Sequence, residues 1–324
     1  MTRTPEEIKS SVDAVKKELS KTIVGYEDQI EDFLICLATG GHLLIEGVPG
    51  VAKTTLSKAF ASACALSYKR IQFTQDLLPA DITGHFFFNQ RSSEFEVRKG
   101  PLFADFVLAD EINRAPPKTQ SALLEAMQER QVTIEGNTFA LPELFTVVAT
   151  LNPIETEGVY PLPEAQIDRF MVKSTMGYLD KEHEVEILQM KSLPEKKTDV
   201  VLSRKVIFDM GSDAVKIYAH PSVMAYVQEI AWATREVDGL DLGLSPRGTI
   251  HLLNAARAHA YLRGRAYLIP DDVKAMAHKV VDHRLITSPE AELSGVTRAS
   301  ITDSILSSVP VPKGEFVREE AGKV

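Results

Sequence analysis

The sequence has few cysteines and tryptophans and lacks any long apolar segment. Only two cysteines and one tryptophan occur in 324 residues. Cys36 and Cys64 lie in apolar helical surroundings and show no spacing typical of a metal or redox motif, which predicts buried thiols in a reducing compartment. No segment approaches the roughly 20 apolar residues of a membrane span, and the amino terminus lacks the apolar core of an export signal. These absences predict a cytoplasmic protein with no membrane span.

Positive charge is scarce relative to negative charge. The chain has 36 lysines and arginines against 45 aspartates and glutamates, a formal net charge of −9. This balance opposes nonspecific attraction to nucleic acid, so we do not expect a nucleic-acid partner. With 44% hydrophobic and 25% charged residues, the composition is that of an ordinary globular protein that is long enough for two domains.

A short apolar segment enters a glycine-containing turn near position 50, and a helical pattern follows it. This order of strand, loop and helix, with a lysine and a threonine at the helix start, is typical of a phosphate-binding loop. Backbone N–H groups of such a loop point inward, Lys53 can reach the outer phosphates, and the Thr54 hydroxyl can bind Mg²⁺. The residues predicted to bind a nucleotide here are Gly47, Val48, Pro49, Gly50, Val51, Ala52, Lys53, Thr54 and Thr55.

The loop departs at one position from the general pattern G-x-x-x-x-G-K-[ST], because Ala52 stands where the second glycine is usual. Alanine reaches positive φ only at a cost in free energy. We therefore expect the turn to place Ala52 in an ordinary backbone region. A glycine-lysine turn without function is the alternative interpretation of this segment.

Polar side chains follow two further apolar strands. Asp110 and Glu111 come directly after the apolar segment 106–109, and Asn152 follows the apolar segment 145–151. Since ligands bind at the carboxyl ends of strands in an open α/β sheet, these side chains are expected beside the phosphate loop. Asp110 then suits a magnesium ion held by phosphates, Glu111 suits a base that deprotonates water, and Asn152 can hydrogen-bond that water.

Two amphipathic helices precede the loop, and an apolar break separates them. We interpret Val24 and Gly25 in this break as part of an apolar slot for a nucleotide base, with plain packing as the alternative. Two polar turns between β-type segments also predict hairpins, at about 86–97 and about 131–141. The three phenylalanines at 86–88 belong either to the core or to an exposed surface that grips a partner.

Two arginines later in the chain are candidates for phosphate contacts. Arg169 ends a short polar helix, where it is either an ion-pair partner of Asp168 or a finger supplied to a neighbouring subunit's phosphate. Arg247 lies at a helix start that Ser245 can cap, with Pro246 in the first turn. An ordinary solvated charge is the alternative for Arg247.

Taken together, these motifs resemble those of the MoxR family of AAA+ ATPases. The resemblance rests on segments 47–54, 110–115, 152–153 and 162–170, in this order, and with the later helices it covers most of the chain. Alanine at position 52 is common in that family's loop.

The resemblance implies a role for each candidate residue. Lys53 and Thr54 would belong to the Walker A motif and Asp110 with Glu111 to Walker B. The first sensor, arginine finger and second sensor would be, in order, Asn152, Arg169 and Arg247.

The resemblance also implies an α/β fold, with an αβα P-loop core built on a parallel sheet and followed by a smaller all-α lid. We assign the core to residues 1–178, the lid to 179–309 and a loose tail to 310–324. The hairpin at about 86–97 looks like the helix-2 insert of this AAA+ branch, and the one at about 131–141 like the hairpin before the first sensor.

The function that the resemblance implies is Mg²⁺-dependent ATP hydrolysis in a homo-oligomeric ring, usually of six subunits. The ring would drive chaperone-like remodelling or maturation of client proteins, often with a von Willebrand factor A domain protein as partner. Three alternatives remain open at this point: a DNA-remodelling motor, a magnesium-chelatase-like motor subunit and a non-hydrolysing nucleotide-gated scaffold. DNA-stimulated turnover, porphyrin-pathway activity and the absence of turnover would distinguish them.

Overall fold

The protein is described here from a computed structural model, over residues 3–154, 158–194 and 196–317. Residues 318–324 of the predicted tail and the first two residues of the chain lie outside these ranges. Cys36 and Cys64 are both buried and unpaired, as predicted. None of the helices over the described residues combines the length and the hydropathy that crossing a bilayer would take.

The chain alternates between helices and strands as far as position 176 and is mainly helical beyond it. The helices are α1 (Pro5–Leu19), α2 (Glu27–Thr39), α3 (Lys53–Ala63), α4 (Pro79–Thr83), α5 (Pro117–Glu129), α6 (Glu164–Ile167), α7 (Lys181–Lys191), α8 (Arg204–Ala214), α9 (Pro221–Glu236), α10 (Pro246–Leu262), α11 (Pro270–Val281), α12 (Pro289–Leu293) and α13 (Arg298–Ser308). The strands are β1 (Leu43–Gly47), β2 (Tyr68–Gln72), β3 (Gly84–Asn89), β4 (Glu94–Lys99), β5 (Phe106–Asp110), β6 (Gln131–Ile134), β7 (Asn137–Ala140), β8 (Thr146–Leu151), β9 (Val172–Met176), β10 (Leu240–Leu242) and β11 (Ile286–Thr287). Short 3-10 helices lie at Ile112–Arg114 and Asp282–Arg284.

Five parallel strands form the central sheet, in the order β2-β5-β8-β1-β9. Side chains of each strand alternate between its two faces, and both faces are covered. In β5, Phe106 and Leu108 belong to one buried cluster, while Val107 and Ala109 belong to another on the opposite face. The sheet is therefore the middle layer between two sets of helices, and its carboxyl ends all lie at one edge.

Both predicted hairpins are present, and neither belongs to the central sheet. β3 pairs with β4, so the first hairpin extends over 84–99 and not only about 86–97, and β6 pairs with β7. Gly84 at the base of the first hairpin has φ +102°, and a Cβ atom there would lie 2.2 Å from the carbonyl oxygen of Arg98. The hairpin therefore leaves the core through a crossing that only glycine permits.

The second half of the chain packs helix against helix, as predicted, and adds one small sheet. β10 and β11 pair antiparallel, although the sequence indicated no β-structure after position 178. Strands of three and two residues are too short to show the alternation on which such a prediction depends. The domain boundaries of 1–178 and 179–309 remain a prediction; in the structure β9 ends at Met176 and α7 begins at Lys181.

A buried histidine lies directly before β1. Nδ1 of His42 accepts a hydrogen bond from the backbone N–H of Val147 at 3.0 Å, and Nε2 lies 3.2 Å from the carbonyl oxygen of Met127. The ring is therefore neutral, with its proton on Nε2. Burial, assisted by the charge of Arg130, lowers the pKa of His42 to about 3.

His42 predicts how stability depends on pH. The pKa of His42 is lower in the folded chain than in the unfolded chain. The unfolded chain therefore binds a proton at His42 below about pH 6.5, whereas the folded chain binds it only below about pH 3. Stability consequently falls as the pH is lowered between these values. Substitution His42→Gln should lower the free energy of unfolding at pH 7 and reduce its pH slope between about 6 and 4 by up to about 1.4 kcal/mol per pH unit. Denaturant titrations at a series of pH values measure this, and an unchanged slope would contradict it.

Candidate active site

The predicted phosphate loop connects β1 to α3 at the carboxyl edge of the sheet. Nζ of Lys53 donates to the carbonyl oxygens of Gly47 at 2.5 Å and Val48 at 3.2 Å, so the side chain folds over the loop. Gly50 has φ +85°, and the space that a Cβ atom would fill there is open. The loop thus presents backbone at its tip and a lysine across its mouth, which is the arrangement that a polyphosphate needs.

The backbone at Ala52 differs from the expectation. Ala52 has φ 60° and ψ 22°, in the left-handed region, and is the N-cap of α3. The prediction of an ordinary backbone region was wrong, because the turn into the helix demands the conformation that glycine provides at this position of the general pattern. Ala52 therefore carries the backbone strain of the left-handed region, and the geometry of the loop is retained.

Thr54 and Asp110 come together where a metal would sit. The Thr54 hydroxyl lies 3.4 Å from Oδ2 of Asp110, which is buried at the end of β5. The described residues contain no group of three or more His, Cys, Asp or Glu placed to hold a metal ion by themselves. A hydroxyl and one carboxylate fit Mg²⁺ that arrives with phosphate oxygens, since Mg²⁺ keeps most of its other ligands from water and substrate.

Asp110 has partners that the sequence did not suggest. Arg70 on β2 donates to Oδ2 of Asp110 from Nε at 3.0 Å and from a terminal nitrogen at 2.7 Å. Thr150 on β8 donates from its hydroxyl to Oδ1 at 2.7 Å. The carboxylate is therefore held from both neighbouring strands, and the Arg70 guanidinium, whose side chain is 45% exposed, can withdraw when a cation approaches.

Glu111 lies one residue past β5, directly before the 3-10 helix Ile112–Arg114. Its φ is 56°, and its backbone N–H donates to the Thr150 hydroxyl at 2.8 Å. Oε2 of Glu111 accepts from Nε2 of Gln72 at 2.9 Å and lies 3.1 Å from Nε of Arg114. The half-buried carboxylate is thus held by two side-chain donors, which it must leave before it can accept a proton from water as a general base.

Asn152 follows β8, between the loop and Glu111 in the order of the strands. It is 4% exposed, and its side-chain oxygen accepts from the backbone N–H of Ile154 at 3.2 Å. This bond directs the amide nitrogen, a donor, away from its own turn. The structure therefore brings Lys53, Thr54, Asp110, Glu111 and Asn152 to one edge of the sheet, as the sequence predicted for the carboxyl ends of parallel strands.

The predicted base slot lies at the junction with the second half of the chain. Gly25 has φ +72°, and a Cβ atom there would lie 2.8 Å from the Leu179 side chain. Val24 is 8% exposed, and the Tyr26 hydroxyl donates to the Gly177 carbonyl at 3.1 Å. The slot is thus bounded by the segment that leaves β9, next to the strand that carries the loop.

Arg169 lies at the opposite edge of the sheet. The segment that carries it enters β9, and the backbone N–H of Met171 donates to the His42 carbonyl at 2.8 Å, just before β1 begins. Since β1 and β9 are parallel and each has five residues, Arg169 is separated from its own loop by roughly 15 Å along the strands. The Arg169 side chain therefore lies apart from the loop, Asp110 and Glu111 of the same chain.

Arg247 lies beside Arg169 and not beside Lys53. A terminal nitrogen of Arg247 is 3.8 Å from Oδ2 of Asp168, and Arg169, Arg247 and Arg130 line one cavity of about 290 Å³. Asp168 accepts from Nε of Arg284 at 2.8 Å and from the Ser245 hydroxyl at 3.0 Å. Asp168, the partner that the ion-pair alternative gave to Arg169, is thus bound by Arg284 instead. Arg169 and Arg247 lie together on a face remote from the loop.

Four residues of these two networks were not found from the sequence. Arg70 and Gln72 alternate on β2 and so share one face, and register pairs Gln72 with Asp110. Thr150 lies within an apolar strand and resembles ordinary core, while Arg284 lies more than one hundred residues from its partner Asp168. The alternation of polar residues on β2 is the one local signal that could have indicated two of them.

Comparison with known proteins supports the interpretation of the chain as an ATPase core followed by a lid. A family model described as the ATPase family associated with various cellular activities matches residues 42–172, and one described as the AAA lid domain matches residues 233–305. The chain is 41% identical to the chaperone MoxR1 of Mycobacterium tuberculosis, over 95% of this chain and 84% of that protein. It is 44% identical to YeaC of Bacillus subtilis, described as uncharacterized, over 91% of this chain and 93% of that protein.

A solved structure agrees with these matches. A Cytophaga hutchinsonii protein, described only provisionally as an ATPase, superposes with a TM-score of 0.89 at 40% identity, covering 95% of this chain and 97% of that one. The predicted α/β fold, with a parallel-sheet core followed by a helical lid, is thereby confirmed.

The left-handed alanine predicts a substitution that stabilises the chain. Ala52→Gly removes the Cβ clash of the left-handed region, which outweighs the greater freedom of glycine in the unfolded chain, and should raise the free energy of unfolding by about 0.5 to 1 kcal/mol. Ala52→Val, which places a branched side chain at the same φ, should lower it. Denaturant unfolding of the two variants tests the argument, and a glycine variant less stable than the parent would contradict it.

Proposed function

Because the chain belongs to the MoxR family of AAA+ ATPases, we propose that it assembles into a ring of subunits, that the ring hydrolyses ATP in a Mg²⁺-dependent reaction, and that this hydrolysis drives the remodelling of client proteins. The observation that carries the proposal is the division of the site between two edges of the sheet. One edge holds Lys53, Asp110 and Glu111, and the other presents Arg169 with Arg247. AAA+ proteins generally form rings, in which one subunit's second edge can face its neighbour's first.

Nucleotide binding falls to the loop and the base slot. The loop N–H groups and the start of α3 bind the phosphates, Lys53 exchanges its loop carbonyls for the outer phosphate oxygens, and Val24 with Gly25 contacts the base. Thr54 and Asp110 would hold Mg²⁺, which supplies charge neutralisation at the phosphate oxygens. For that, Arg70 withdraws from the Asp110 carboxylate.

The chemical step needs a base and an oriented water. Glu111 leaves Gln72 and Arg114, accepts a proton from the attacking water, and thereby directs the water oxygen at the γ-phosphorus. The bond from the γ-phosphorus to the bridging oxygen breaks, and ADP leaves with that oxygen. The Asn152 amide hydrogen-bonds the water, so that its position is fixed before the proton moves.

The arginines act on the neighbouring subunit. Arg169 and Arg247 lie too far from their own loop to contact its phosphates, and a ring brings them to the next subunit's γ-phosphate. Guanidinium groups there stabilise the charge that develops on the transferred phosphoryl group. Turnover per subunit should therefore depend on assembly, which also separates this proposal from a non-hydrolysing scaffold.

Client contact is assigned to the tip of the first hairpin. Phe88 and Phe95 face each other across β3 and β4 with ring centroids 5.4 Å apart, and they are 52% and 71% exposed. Phe86 and Val97, nearer the base, pack on the core. Exposed aromatic rings on a paired hairpin suit the transient binding of apolar segments in unfolded polypeptides, and a DNA motor would instead need a basic surface here.

Ring size, a von Willebrand factor A domain partner and a cytoplasmic location are part of the same proposal. Six subunits and such a partner follow from the family resemblance alone. The cytoplasmic location is supported by two buried, unpaired cysteines, which suit a reducing compartment. A magnesium-chelatase-like function would require a partner subunit of the porphyrin pathway, and an assay of porphyrin-pathway activity with such a subunit present tests it.

Replacing the base should separate binding from hydrolysis. Glu111→Gln keeps the shape and the hydrogen-bonding capacity of the side chain but cannot accept the proton, so turnover should fall by about a hundredfold or more while ATP affinity is kept. Phosphate release and equilibrium binding of a fluorescent ATP analogue measure the two quantities. Glu186→Gln, exposed on α7, is the matched control; turnover near the parent's rate in Glu111→Gln would remove Glu111 from this role.

Replacing the hairpin rings should uncouple client binding from the ATPase. The double substitution Phe88→Ser and Phe95→Ser removes the exposed apolar pair, so the affinity for an unfolded model protein should fall by about tenfold or more. Basal turnover should stay within about twofold, since the hairpin lies outside the sheet that carries the site. Leu293→Ser, at a 90% exposed lid position, is the control. Unchanged client affinity in the double variant would contradict the assignment.

A further inference from the structure

A buried arginine of the lid, Arg284, donates hydrogen bonds to the segment that carries Arg169. Arg284 lies in the 3-10 helix Asp282–Arg284 that follows α11 and is 6% exposed. It donates to three backbone carbonyls of the core segment, those of Asp168 at 3.2 Å, Met171 at 3.3 Å and Phe170. These carbonyls lie on both sides of Arg169, so one guanidinium fixes the backbone before and after it.

The same guanidinium reaches the helix that carries Arg247. A terminal nitrogen of Arg284 donates to Nδ1 of His251 at 2.7 Å, one turn along α10 from Arg247. Burial and then the charge of Arg284 lower the pKa of His251 to about 4, so the ring is neutral and can accept this bond. Arg284 therefore contacts α10 and the Arg169 segment with one planar group, since the terminal nitrogen that reaches His251 also donates to the Asp168 and Phe170 carbonyls.

The Asp168 carboxylate completes the connection. Oδ1 accepts from Nε of Arg284 at 2.8 Å, and both carboxylate oxygens accept from the Ser245 hydroxyl, at 3.0 and 3.1 Å. The Ser245 hydroxyl also caps α10 by accepting from the Gly248 backbone N–H at 3.0 Å. Asp168, the residue before Arg169, is thus tied by an ion pair to Arg284 and by hydrogen bonds to Ser245 at the start of the Arg247 helix.

We propose that Arg284 is a positioning residue that presents Arg169 and Arg247 as one unit to the neighbouring subunit. This inference rests on the proposed trans action of the two arginines. Arg284 itself touches no substrate. Because it belongs to the lid and Arg169 to the core, a rotation of lid against core changes the backbone on which Arg169 stands, which couples lid position in one subunit to hydrolysis in the next.

A second lid–core ion pair supplies the matched control. Nζ of Lys279, on α11, donates to Oδ1 of Asp32, a fully buried residue of α2, at 2.7 Å. This pair, like Arg284 with Asp168, joins a basic side chain of the lid to a carboxylate of the core. The hydrogen bond and ion pair of Lys279 are to Asp32 and not to segment 168–171. Replacing Lys279 therefore measures the stability lost when a lid–core pair is broken, without a change in the position of Arg169.

The first experiment compares Arg284→Gln, Arg284→Lys and Lys279→Gln as assembled rings. Arg284→Gln should lower kcat by about ten- to a hundredfold, because a misplaced catalytic group costs this much, while the Kd for a fluorescent ATP analogue stays within about twofold. Arg284→Lys, which keeps the charge but not the planar fork, should lie between it and the parent. Lys279→Gln should lower Tm without lowering kcat. An Arg284→Gln ring that turns over like the parent, or a kcat loss in Lys279→Gln as large as in Arg284→Gln, would overturn the proposal.

The second experiment mixes variants that are each slow alone. Arg284→Gln keeps its own Glu111, and Glu111→Gln keeps its own Arg284, so about a quarter of the interfaces in a random equal mixture join an intact base to an intact arginine unit. Activity per subunit in the mixture should therefore rise above that of either variant alone. Should Arg284→Gln prove too unstable to assemble, Arg284→Lys takes its place in the mixture with a smaller expected gain.

A parallel mixture of Arg169→Ala with Glu111→Gln distinguishes the two levels of the proposal. If this mixture regains activity and the Arg284 mixture does not, the role of Arg284 is wrong and the trans mechanism stands. If neither mixture regains activity, the trans mechanism itself fails, and the inference on Arg284 fails with it.

Discussion

The parallel hydrogen bonding of β1, β5, β8 and β9 is the constraint on which the rest of the structure depends. Since all these strands run in one direction, every segment that leaves a strand does so at one edge, and every segment that enters does so at the other. The loop, Asp110, Glu111 and Asn152 follow strands, whereas Arg169 precedes one. The loop and its carboxylates are therefore separated from Arg169 within one chain by the length of the sheet, and in the proposed mechanism a second copy joins them.

Charged side chains inside this framework are held by partners from distant parts of the chain. Asp110 is held by Arg70 and Thr150 from two neighbouring strands, and Asp168 by Arg284 from the lid. Burying such charges is costly unless their hydrogen-bonding capacity is filled, and loss of one partner leaves the other buried and unpaired. The two networks differ in their surroundings. The Arg70 side chain is 45% exposed and can move away from Asp110, while Arg284 is almost completely enclosed and can change its contacts only when the lid moves.

Much of the site could be predicted from the sequence because its residues occur in short contiguous motifs. The segment from Gly47 to Thr54 and the pair Asp110–Glu111 each lie within one loop or strand end, so their local order already fixes their geometry. Ala52 shows the limit of that reasoning, since the left-handed conformation at the start of α3 is imposed by the turn and not by the residue. Arg70, Gln72 and Thr150 could not be assigned in the same way, because their roles depend on which strands are neighbours in the sheet.

The sequence by itself determined which reactive groups the protein carries: a phosphate-loop motif, two carboxylates after one strand, an amide after another and two arginines later in the chain. It determined this because the side-chain types and their spacing along single elements are local properties. Only the tertiary structure decided which of these groups share a site. Strand direction placed Arg169 away from Lys53, and the packing of the lid on the core brought Arg247 beside Arg169 and Arg284 to Asp168, the latter over a separation of 116 residues. Contacts between residues so far apart in the chain arise from packing of whole elements, which no local pattern records.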